Sequence, residues 1–390
     1  MKKDRTYAYS ALQMFFWMFY GVAFGFTSVY LLPAGLTNTQ IGMLTAAACF
    51  AAALLQPAAA AWADDPKGPS LRALLFGLTG LYAACAALLI ALGGRVAAVS
   101  ALLYGVCVAC IQIALPLLIA LGMDTINQGL KLNFGLARGL GSGAYAVIVY
   151  VCGIAANRLG EGAVPAVMLM MSLCFLAVLA GCYPLKKAAA SKDSAPSGGS
   201  PIAFLRRYPK FTLMLAGWIL IYIDHSFINN FTYQIAVSKG GTSEDMGLMM
   251  SIGAAAELPI MLLFAPLVKR VRCETLMRAS AVFFAVKALG SWLAPNMALL
   301  YAAQLLQMGA WGLVCVASVY YVNGIMQPSD TAKGQAYMTT VMTLATVVGS
   351  LTGGMLIDAG GAGMMLAAGT VSSVIGLAVV LSGVEKMEIK

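Results

Sequence analysis

The chain has 390 residues, of which 61% are hydrophobic and 10% are charged, and its mean hydropathy is +0.85. A typical soluble domain has roughly a quarter charged residues, so this composition excludes a soluble globular protein, whose core could not bury so much apolar surface. The formal net charge of +9 would suit a nucleic-acid partner only if the cations formed a basic patch, and their distribution excludes that class.

Apolar runs recur along the whole chain, each long enough to cross a hydrocarbon layer of roughly 30 Å, which takes roughly 20 helical residues. They predict an all-α membrane protein with twelve transmembrane helices. The predicted spans are residues 7–32, 39–63, 71–92, 96–123, 135–157, 163–184, 211–237, 245–268, 275–294, 297–326, 335–357 and 361–383. The first run exceeds the apolar region of a signal peptide and further spans follow it, so we interpret it as helix 1.

The lysines and arginines indicate how these spans are oriented. With the N-terminus inside, three of the 24 fall in outside loops (Arg95, Arg158 and Lys239) and four within the bounds of spans (Arg72, Arg138, Arg278 and Lys287). The remaining seventeen lie in cytoplasmic segments, which is the positive-inside bias. The sequence therefore predicts a multi-pass protein of a bacterial cell membrane with both termini in the cytoplasm, and the basic charge is expected to meet anionic lipid headgroups.

One long polar segment separates the first six spans from the last six, and its Lys, Ser, Gly and Pro content is typical of a flexible linker. We therefore expect an N-terminal six-helix bundle over residues 1–185, a cytoplasmic linker over 186–210 and a C-terminal six-helix bundle over 211–390.

A weak internal match supports a duplication. Thr37–Gly42 matches Thr242–Gly247 at an offset of 205 residues, and each stretch places a capping residue ahead of an apolar helix. The two bundles are thus predicted to be pseudo-symmetric, with the solute site at their interface. Gly135, Gly139 and Gly143 in helix 5 have the four-residue spacing of a helix-packing seam.

Three ionisable residues fall near the middle of predicted spans: Asp224, Glu257 and Lys287. Such a side chain costs some 2.5 to 3.5 kcal/mol at the bilayer centre, so each needs a partner, a water-filled cavity or a function. We predict one buried network in which a carboxylate exchanges a proton; the alternative is a structural ion pair that orients helices. His225, the only histidine, is either a proton carrier or a hydrogen-bonded packing residue.

Enzyme motifs are missing from the sequence: there is no P-loop, no Gly-x-Ser-x-Gly and no His-Glu-x-x-His. A single histidine leaves no His-rich metal site, and no cofactor is expected. An enzyme is therefore excluded, and the missing P-loop removes ATP as a direct energy source.

The loop after helix 2 reads Ala61-Trp-Ala-Asp-Asp-Pro-Lys-Gly-Pro-Ser-Leu-Arg and resembles the loop signature of the major facilitator superfamily. Asp65 and Gly68 match its acidic residue and its glycine, and Arg72 matches its basic end, whereas Ala61 and Pro66 replace a glycine and a basic residue. The resemblance implies the major facilitator fold, and it implies that Asp65, Gly68 and Arg72 belong to a cytoplasmic latch.

Four stretches resemble the proton-symporter branch of that superfamily, which includes lactose permease and the phenylpropionate and nucleoside permeases. They are Asn133-Phe-Gly-Leu-Ala-Arg-Gly-Leu-Gly, Asp224-His-Ser-Phe-Ile-Asn-Asn-Phe, Phe264-Ala-Pro-Leu and Val286-Lys-Ala-Leu-Gly-Ser. The resemblance places Arg138 at a substrate-contacting arginine, Asp224 at a charge-pairing aspartate and Lys287 at a functional arginine. Helix 10 departs from lactose permease, with Gln304, Gln307 and Ala310 in place of Lys, His and Glu, so that permease's specificity and proton relay are not implied.

Other polar residues are candidates for a solute site. Arg138 and Asp124 are expected near the cytoplasmic ends of helices 5 and 4, where a planar guanidinium can bind paired oxygens; the alternative is a salt bridge at a loop end. The amides of Asn229, Gln304 and Gln307 are predicted to line a polar cavity, and the alternative for each is interhelical packing.

Together these features predict a monomeric secondary transporter that couples protons to the symport of a small polar or anionic organic solute by alternating access. The cations favour a sugar, a nucleoside or an organic acid. Two alternatives stay open: a proton-coupled drug efflux antiporter, and a transporter-like receptor that binds solute without moving it. Helix 5 has no proline between Gly139 and Gly153, which the antiporter motif would require, and this favours symport.

Overall fold

The computed structural model describes residues 4–92, 95–182, 201–327 and 330–386, and within them the secondary structure is helical apart from turns and one isolated bridge between Asp4 and Lys131. The helices that precede the predicted linker are α1 (Thr6–Gly25), α2 (Thr27–Leu31), α3 (Asn38–Asp64), α4 (Leu71–Leu92), α5 (Ala97–Asn127), α6 (Phe134–Leu159) and α7 (Ala163–Cys182).

The helices after it include several that are broken. They are α8 (Pro201–Arg207), α9 (Pro209–Asn230), α10 (Thr232–Ser238), α11 (Ser243–Val268), α12 (Cys273–Leu293), α13 (Met297–Leu305), α14 (Trp311–Ile325) and α15 (Thr331–Gly383). A short 3₁₀ helix, Leu306–Met308, joins α13 to α14. Helix α15 is interrupted by non-helical backbone at Gly360 and Gly361.

These helices confirm the predicted fold class, an all-α membrane protein. In the described ranges, nine helices are long and apolar enough to cross a membrane. The other predicted spans coincide with α1 and α2 together, with α11, and with one of the two parts of α15.

Local sequence explains where the two repeated helices begin. Thr37 and Gln40 form a capping box at the start of α3: the Gln40 amide N–H donates to Thr37 Oγ1 over 3.2 Å, and the Thr37 N–H donates to Gln40 Oε1 over 2.9 Å. At the start of α11 the Thr242 N–H donates to Asp245 Oδ2 over 2.8 Å. The matched stretches therefore act as helix caps, as their sequence predicts.

Contacts within the chain divide it into two compact units. The first consists of Met1–Asp193 and Thr242–Ser251, and the second of Ser194–Gly241 and Ile252–Lys390. Of the predicted linker, residues 186–200 lie outside the described residues and Pro201–Arg207 is helix α8. The sequence-based domain boundaries stay a prediction.

The second unit is built on the packing of α9 against α15. A side chain at Gly217 would meet the backbone of Gly376 and Val380, and one at Gly376 would meet the carbonyl of Gly217, so the two helices approach closely only because both positions lack a side chain. The neighbouring core contains Trp218 and Phe284, whose rings meet edge-on at 5.9 Å.

The sequence predicted a helix-packing seam at Gly135, Gly139 and Gly143 of the fifth span, which is helix α6, and this prediction is wrong. Space is open around the positions where Gly139 and Gly143 would carry a side chain. The close approach lies instead at Gly141, where a side chain would overlap Trp17 of α1. Four-residue spacing identifies glycines on one face of a helix, but the position of the neighbouring helix decides which face is packed.

Candidate functional site

Three polar side chains in the second unit are joined in a chain by two hydrogen bonds. Lys287 Nζ donates to Gln307 Oε1 over 2.5 Å, and Gln307 Nε2 donates to Glu257 Oε1 over 2.9 Å. Lys287 is 1% exposed and Gln307 is 6% exposed, whereas Glu257 is half-buried. The structure thus connects two of the three predicted mid-membrane charges, and it does so through an amide that the sequence assigned to solute binding.

Breaks in the helices position these groups. Gln307 lies in the 3₁₀ segment between α13 and α14, and Glu257 lies two residues before Pro259 inside α11. A proline there cannot donate the helical hydrogen bond to the carbonyl four residues earlier. Gly312 at the start of α14 lies against the backbone of Glu257, so α14 reaches α11 closely at this acid.

Asp224 is placed apart from that chain. It is 1% exposed, and its Oδ1 has no hydrogen-bond partner among the described residues. Its Oδ1 lies against Gly369 of α15, where an added methyl group would overlap it. Lys287 attracts both Asp224 and Glu257 electrostatically, but only Glu257 is joined to it through hydrogen bonds. Burial of this kind disfavours the charged form of a carboxyl group unless a partner neutralises it.

His225 is packed between aromatic rings. It stacks on Trp311 at 5.0 Å with the ring planes 12° apart, and it meets Phe284 edge-on at 5.3 Å. Its Nε2 lies 2.8 Å from Asn229 Nδ2, a distance at which the amide donates to the ring in the tautomer that leaves Nε2 unprotonated. Nδ1 itself is buried with no hydrogen-bond partner in the described part of the chain.

Gln304 lies one turn before Gln307. It is 5% exposed and its Nε2 has no hydrogen-bond partner among the residues described. Its amide oxygen lies beside Gly253 of α11, 3.6 Å from where a side chain would begin. A buried amide donor of this kind is a candidate to bind an oxygen of a solute.

The first unit holds a second polar chain, centred on Arg138 of α6. The guanidinium lies over the Trp17 ring, 4.1 Å from its centroid, and Arg138 Nη1 donates to Ser142 Oγ over 2.6 Å. Trp17 Nε1 donates to Gln13 Oε1 over 3.0 Å, and Gln13 Nε2 donates to the Tyr9 hydroxyl over 2.8 Å. The Arg138 guanidinium thus lies over an aromatic ring that is itself oriented by a buried glutamine.

Sequence reasoning missed Tyr9, Gln13 and Trp17. They are spaced four residues apart on α1, so they share one helix face, and a polar or amphipathic stripe of this kind inside an apolar span is the signal that could have identified them.

Asp124, the other residue predicted to bind solute at these helix ends, is not paired with Arg138. Its Oδ2 accepts from Gln128 Nε2 over 2.9 Å, one turn later on the chain. The structure therefore does not bring these two predicted residues into contact. Elsewhere in the described ranges, no group of three His, Cys, Asp or Glu side chains is arranged to hold a metal ion.

A family model described as "MFS_1 like family" matches residues 7–368. The chain belongs to this family. It is therefore a member of the major facilitator superfamily, whose members are membrane transporters and not enzymes, as the sequence predicts.

Two kinds of relative are similar to parts of the chain. A Deinococcus radiodurans protein named for sugar efflux is 28% identical over 218 residues, which cover 53% of this chain and 53% of that protein. A Mycobacterium tuberculosis protein named for multidrug efflux is 26% identical over 174 residues, covering 43% of this chain and 36% of that protein. The match thus spans about half or less of each relative's length.

Solved structures share the fold along nearly the whole chain. The nucleoside transporter NupG matches with a TM-score of 0.77 and 13% identity, covering 97% of each chain. An auto-inhibited peptide transporter of the POT family matches with a TM-score of 0.71 and 11% identity, covering 98% of this chain and 97% of that one. At this identity the likeness shows the fold alone.

The facilitator loop motif is ordered by local hydrogen bonds. Asp65 Oδ1 accepts from the Lys67 N–H over 2.9 Å, and the Asp65 carbonyl accepts from the Gly68 N–H over 2.8 Å, so α3 ends in a tight turn. A side chain at Gly68 would collide with the carbonyl of Trp62. Arg72 projects away from this turn and binds the last carbonyls of α7.

Proposed function

We propose that this protein is a secondary transporter of the cell membrane that couples proton movement to the symport of a small polar or anionic organic solute. The observation that carries the proposal is the chain from Lys287 through Gln307 to Glu257 within apolar helices, with Asp224 buried on α9 and attracted electrostatically by Lys287. Both termini lie in the cytoplasm, the protein acts as a monomer, and solute exposure alternates between the two sides of the membrane.

Two acids near one base provide a site that can load a proton. Lys287 attracts both carboxylates, yet only Glu257 is tied to it through an amide, so one acid is left to be neutralised by a proton. Each charge that stays in a span without a partner costs some 2.5 to 3.5 kcal/mol on insertion scales. Proton uptake by Asp224 or Glu257 removes such a charge. The conformation of the helices that carry these two acids is therefore linked to their protonation.

The solute contacts are proposed at Arg138 in the first unit and at Gln304 and Asn229 in the second. A flat guanidinium binds carboxylate or paired hydroxyl oxygens through its fork, and the amides bind hydroxyls and ring nitrogens. Asp124, held through Gln128, is an acceptor for a solute hydroxyl. These groups suit a sugar, a nucleoside or an organic acid, and one solved structure with the same fold is named as a nucleoside transporter.

Transport by purified protein in proteoliposomes tests the proposal. We expect an inward proton gradient to drive uphill accumulation of at least one member of a radiolabelled panel of sugars, nucleosides and organic acids. Glu257→Gln mimics a permanently protonated acid, so exchange of labelled for unlabelled solute should persist while accumulation is lost. Glu161→Gln, a change at an exposed acid between α6 and α7, is the matched control and should accumulate like the unchanged protein.

Variants of Lys287 provide a second test in the same transport assay. Lys287→Ala should impair transport more than Lys287→Ala combined with Glu257→Gln, since an unpaired buried carboxylate is more destabilising than the absence of the pair. Undiminished accumulation in both Glu257→Gln and Asp224→Asn would contradict proton coupling at these acids. It would point to His225 or to a facilitator without coupling.

Efflux is the second candidate, because relatives of the chain are named for sugar efflux and for multidrug efflux. Inside-out and right-side-out vesicles separate the two directions. In an exporter driven by proton exchange, protons and solute move in opposite directions. Such a protein would accumulate solute only in vesicles whose proton gradient drives protons outward. Ligand-induced thermal stabilisation without flux in either orientation would instead indicate a receptor, since a bound ligand stabilises whether or not it is moved.

A further inference from the structure

One neutral side chain joins two oppositely charged residues of the second unit, Lys287 and Glu257. The Lys287 ammonium has only donors and the Glu257 carboxylate has only acceptors, so the Gln307 amide meets them with its oxygen toward Lys287 and its NH₂ group toward Glu257. This orientation satisfies both charges at once. A change of charge at Lys287 or Glu257 therefore alters the hydrogen bond that the Gln307 amide makes with the other residue.

We propose that Gln307 is a positioning residue through which the charge of Lys287 controls the protonation of Glu257. The inference rests on the proposed proton coupling, in which Glu257 exchanges a proton. The ammonium polarises the amide and makes its N–H groups better donors, because hydrogen bonds in a chain strengthen one another. The stronger donor favours the ionised carboxylate, since a bond to a charged acceptor is roughly twice as strong as one to a neutral acceptor.

The effect is reciprocal. When Glu257 takes up a proton, its bond from Gln307 loses its charge-assisted character, and the amide becomes a weaker acceptor for Lys287. A solute or a helix movement that draws Gln307 away from either partner therefore prepares Glu257 to bind a proton. Gln307 lies in the 3₁₀ segment between α13 and α14, and such a break in a helix is a frequent site of functional movement.

Other titratable groups lie near enough to this bridge to interact with it electrostatically. Helix α9 contributes Asp224 and His225, and each interacts electrostatically with Lys287. Helix α12 contributes Lys287 itself, and α11 contributes Glu257. Neither Asp224 nor His225 is joined to Gln307 by a hydrogen bond in the described structure, so a change at Gln307 should act on Glu257 before it acts on the groups of α9.

Gln304 supplies a matched control on α13, which leads directly into the 3₁₀ segment that holds Gln307. It has the same side chain, lies three residues earlier and is buried to a similar degree, at 5% against 6% exposed. Its amide bonds neither Lys287 nor Glu257. Loss of a buried amide by itself is therefore tested at Gln304, and loss of the bridge is tested at Gln307.

Infrared titration of the purified protein in detergent tests the proposal. The carbonyl band of protonated Glu257 is identified by its loss in Glu257→Gln, and the pH at which half of this band has formed is the midpoint compared among variants. We expect Gln307→Leu to raise the midpoint by about one pH unit, a tenfold change in proton affinity, and Gln304→Leu to leave it unchanged. Gln307→Asn, one methylene too short to reach both partners, should shift it in the same direction and serves if the leucine variant does not fold.

Lys287→Met and Gln307→Leu together form a double-mutant cycle. Lys287→Met should raise the midpoint in the unchanged background and raise it less when Gln307→Leu is already present, because the path between the two charges is then broken. An unchanged midpoint in both Gln307 variants, or an undiminished effect of Lys287→Met in the Gln307→Leu background, would overturn the proposal. The titration needs no solute and no flux, so it can fail while proton-driven uptake is observed, and it can succeed in a protein whose vesicles accumulate nothing.

Discussion

Arg72 on α4 donates from Nε to the carbonyl of Leu179 on α7 over 3.1 Å, and its Nη2 binds the next carbonyl, that of Ala180, over 2.9 Å. The second unit repeats this arrangement. Arg278 on α12 donates from Nη2 to the carbonyl of Val384, just after the end of α15, over 2.8 Å. Leu179 and Val384 are 205 positions apart, the offset that also separates the two Thr helix caps. In each half an arginine thus satisfies carbonyls that a helix end leaves without partners.

Arg72→Gln should lower the melting temperature of the purified protein. The change removes charge-assisted hydrogen bonds worth about 1.5 to 3 kcal/mol each before solvent exposure is considered, and the partial exposure of Arg72 places the expected loss near the lower end. Arg278→Gln should have an effect of the same sign. Arg95→Gln, at an exposed loop cation, is the control. A melting temperature of Arg72→Gln equal to that of Arg95→Gln would contradict the capping role.

Gly68→Ala should destabilise the loop after α3. A methyl group at this position collides with the backbone carbonyl of Trp62, which cannot move without opening the turn held by Asp65. Gly77→Ala on the neighbouring helix α4 meets open space and should be neutral or stabilising by about 0.5 to 1 kcal/mol, because alanine is the better helix former. Thermal unfolding monitored by circular dichroism compares the two, and equal melting temperatures would disprove the steric requirement at Gly68.

Trp17 and Arg138 should be energetically coupled. A double-mutant cycle built on Trp17→Leu and Arg138→Met should give an interaction free energy of about 0.5 to 2 kcal/mol, the range of a cation–π contact between exposed and desolvated sites. Trp17→Phe keeps an aromatic face and should retain part of that coupling. The same cycle with Trp292→Leu, on α12 of the other unit, is expected to be additive. Additivity between Trp17 and Arg138 would show that the ring does not hold the guanidinium.

Gly369→Ala should displace Asp224. The added methyl group overlaps the carboxylate and also approaches Phe227, so the variant should unfold at a lower temperature. Combining it with Asp224→Ala should recover part of the loss, because one of the two overlaps is relieved. Gly363→Ala, where space is open, is the control. A double variant as unstable as the sum of its parts would show that the carboxylate is not the obstacle.

The sequence predicted the features that depend on local chemistry. Span positions follow from the length of apolar runs, and the caps at Thr37 and Thr242 follow from residues three positions away on the same chain. Contacts between helices were harder to predict. That Gln307 would bond two charges from different helices, and that Gly141 rather than Gly139 would face α1, depends on how each helix is rotated about its axis. Regular spacing within one helix carries no information about that rotation.

The break in α15 has a consequence for how the protein is made. Between the last two predicted spans, the residues Asp358-Ala-Gly include no lysine or arginine. Gly361, the first residue of the last span, has φ +75° and so reaches the left-handed conformation that glycine adopts readily. The positive-inside rule acts through cations close to the ends of a span, and none is present at this connection. The orientation of both spans must therefore be read from the cations that flank the pair, Lys333 before it and Lys386 after it. In biosynthetic terms, we expect the final two spans to take their orientation together, as one hairpin.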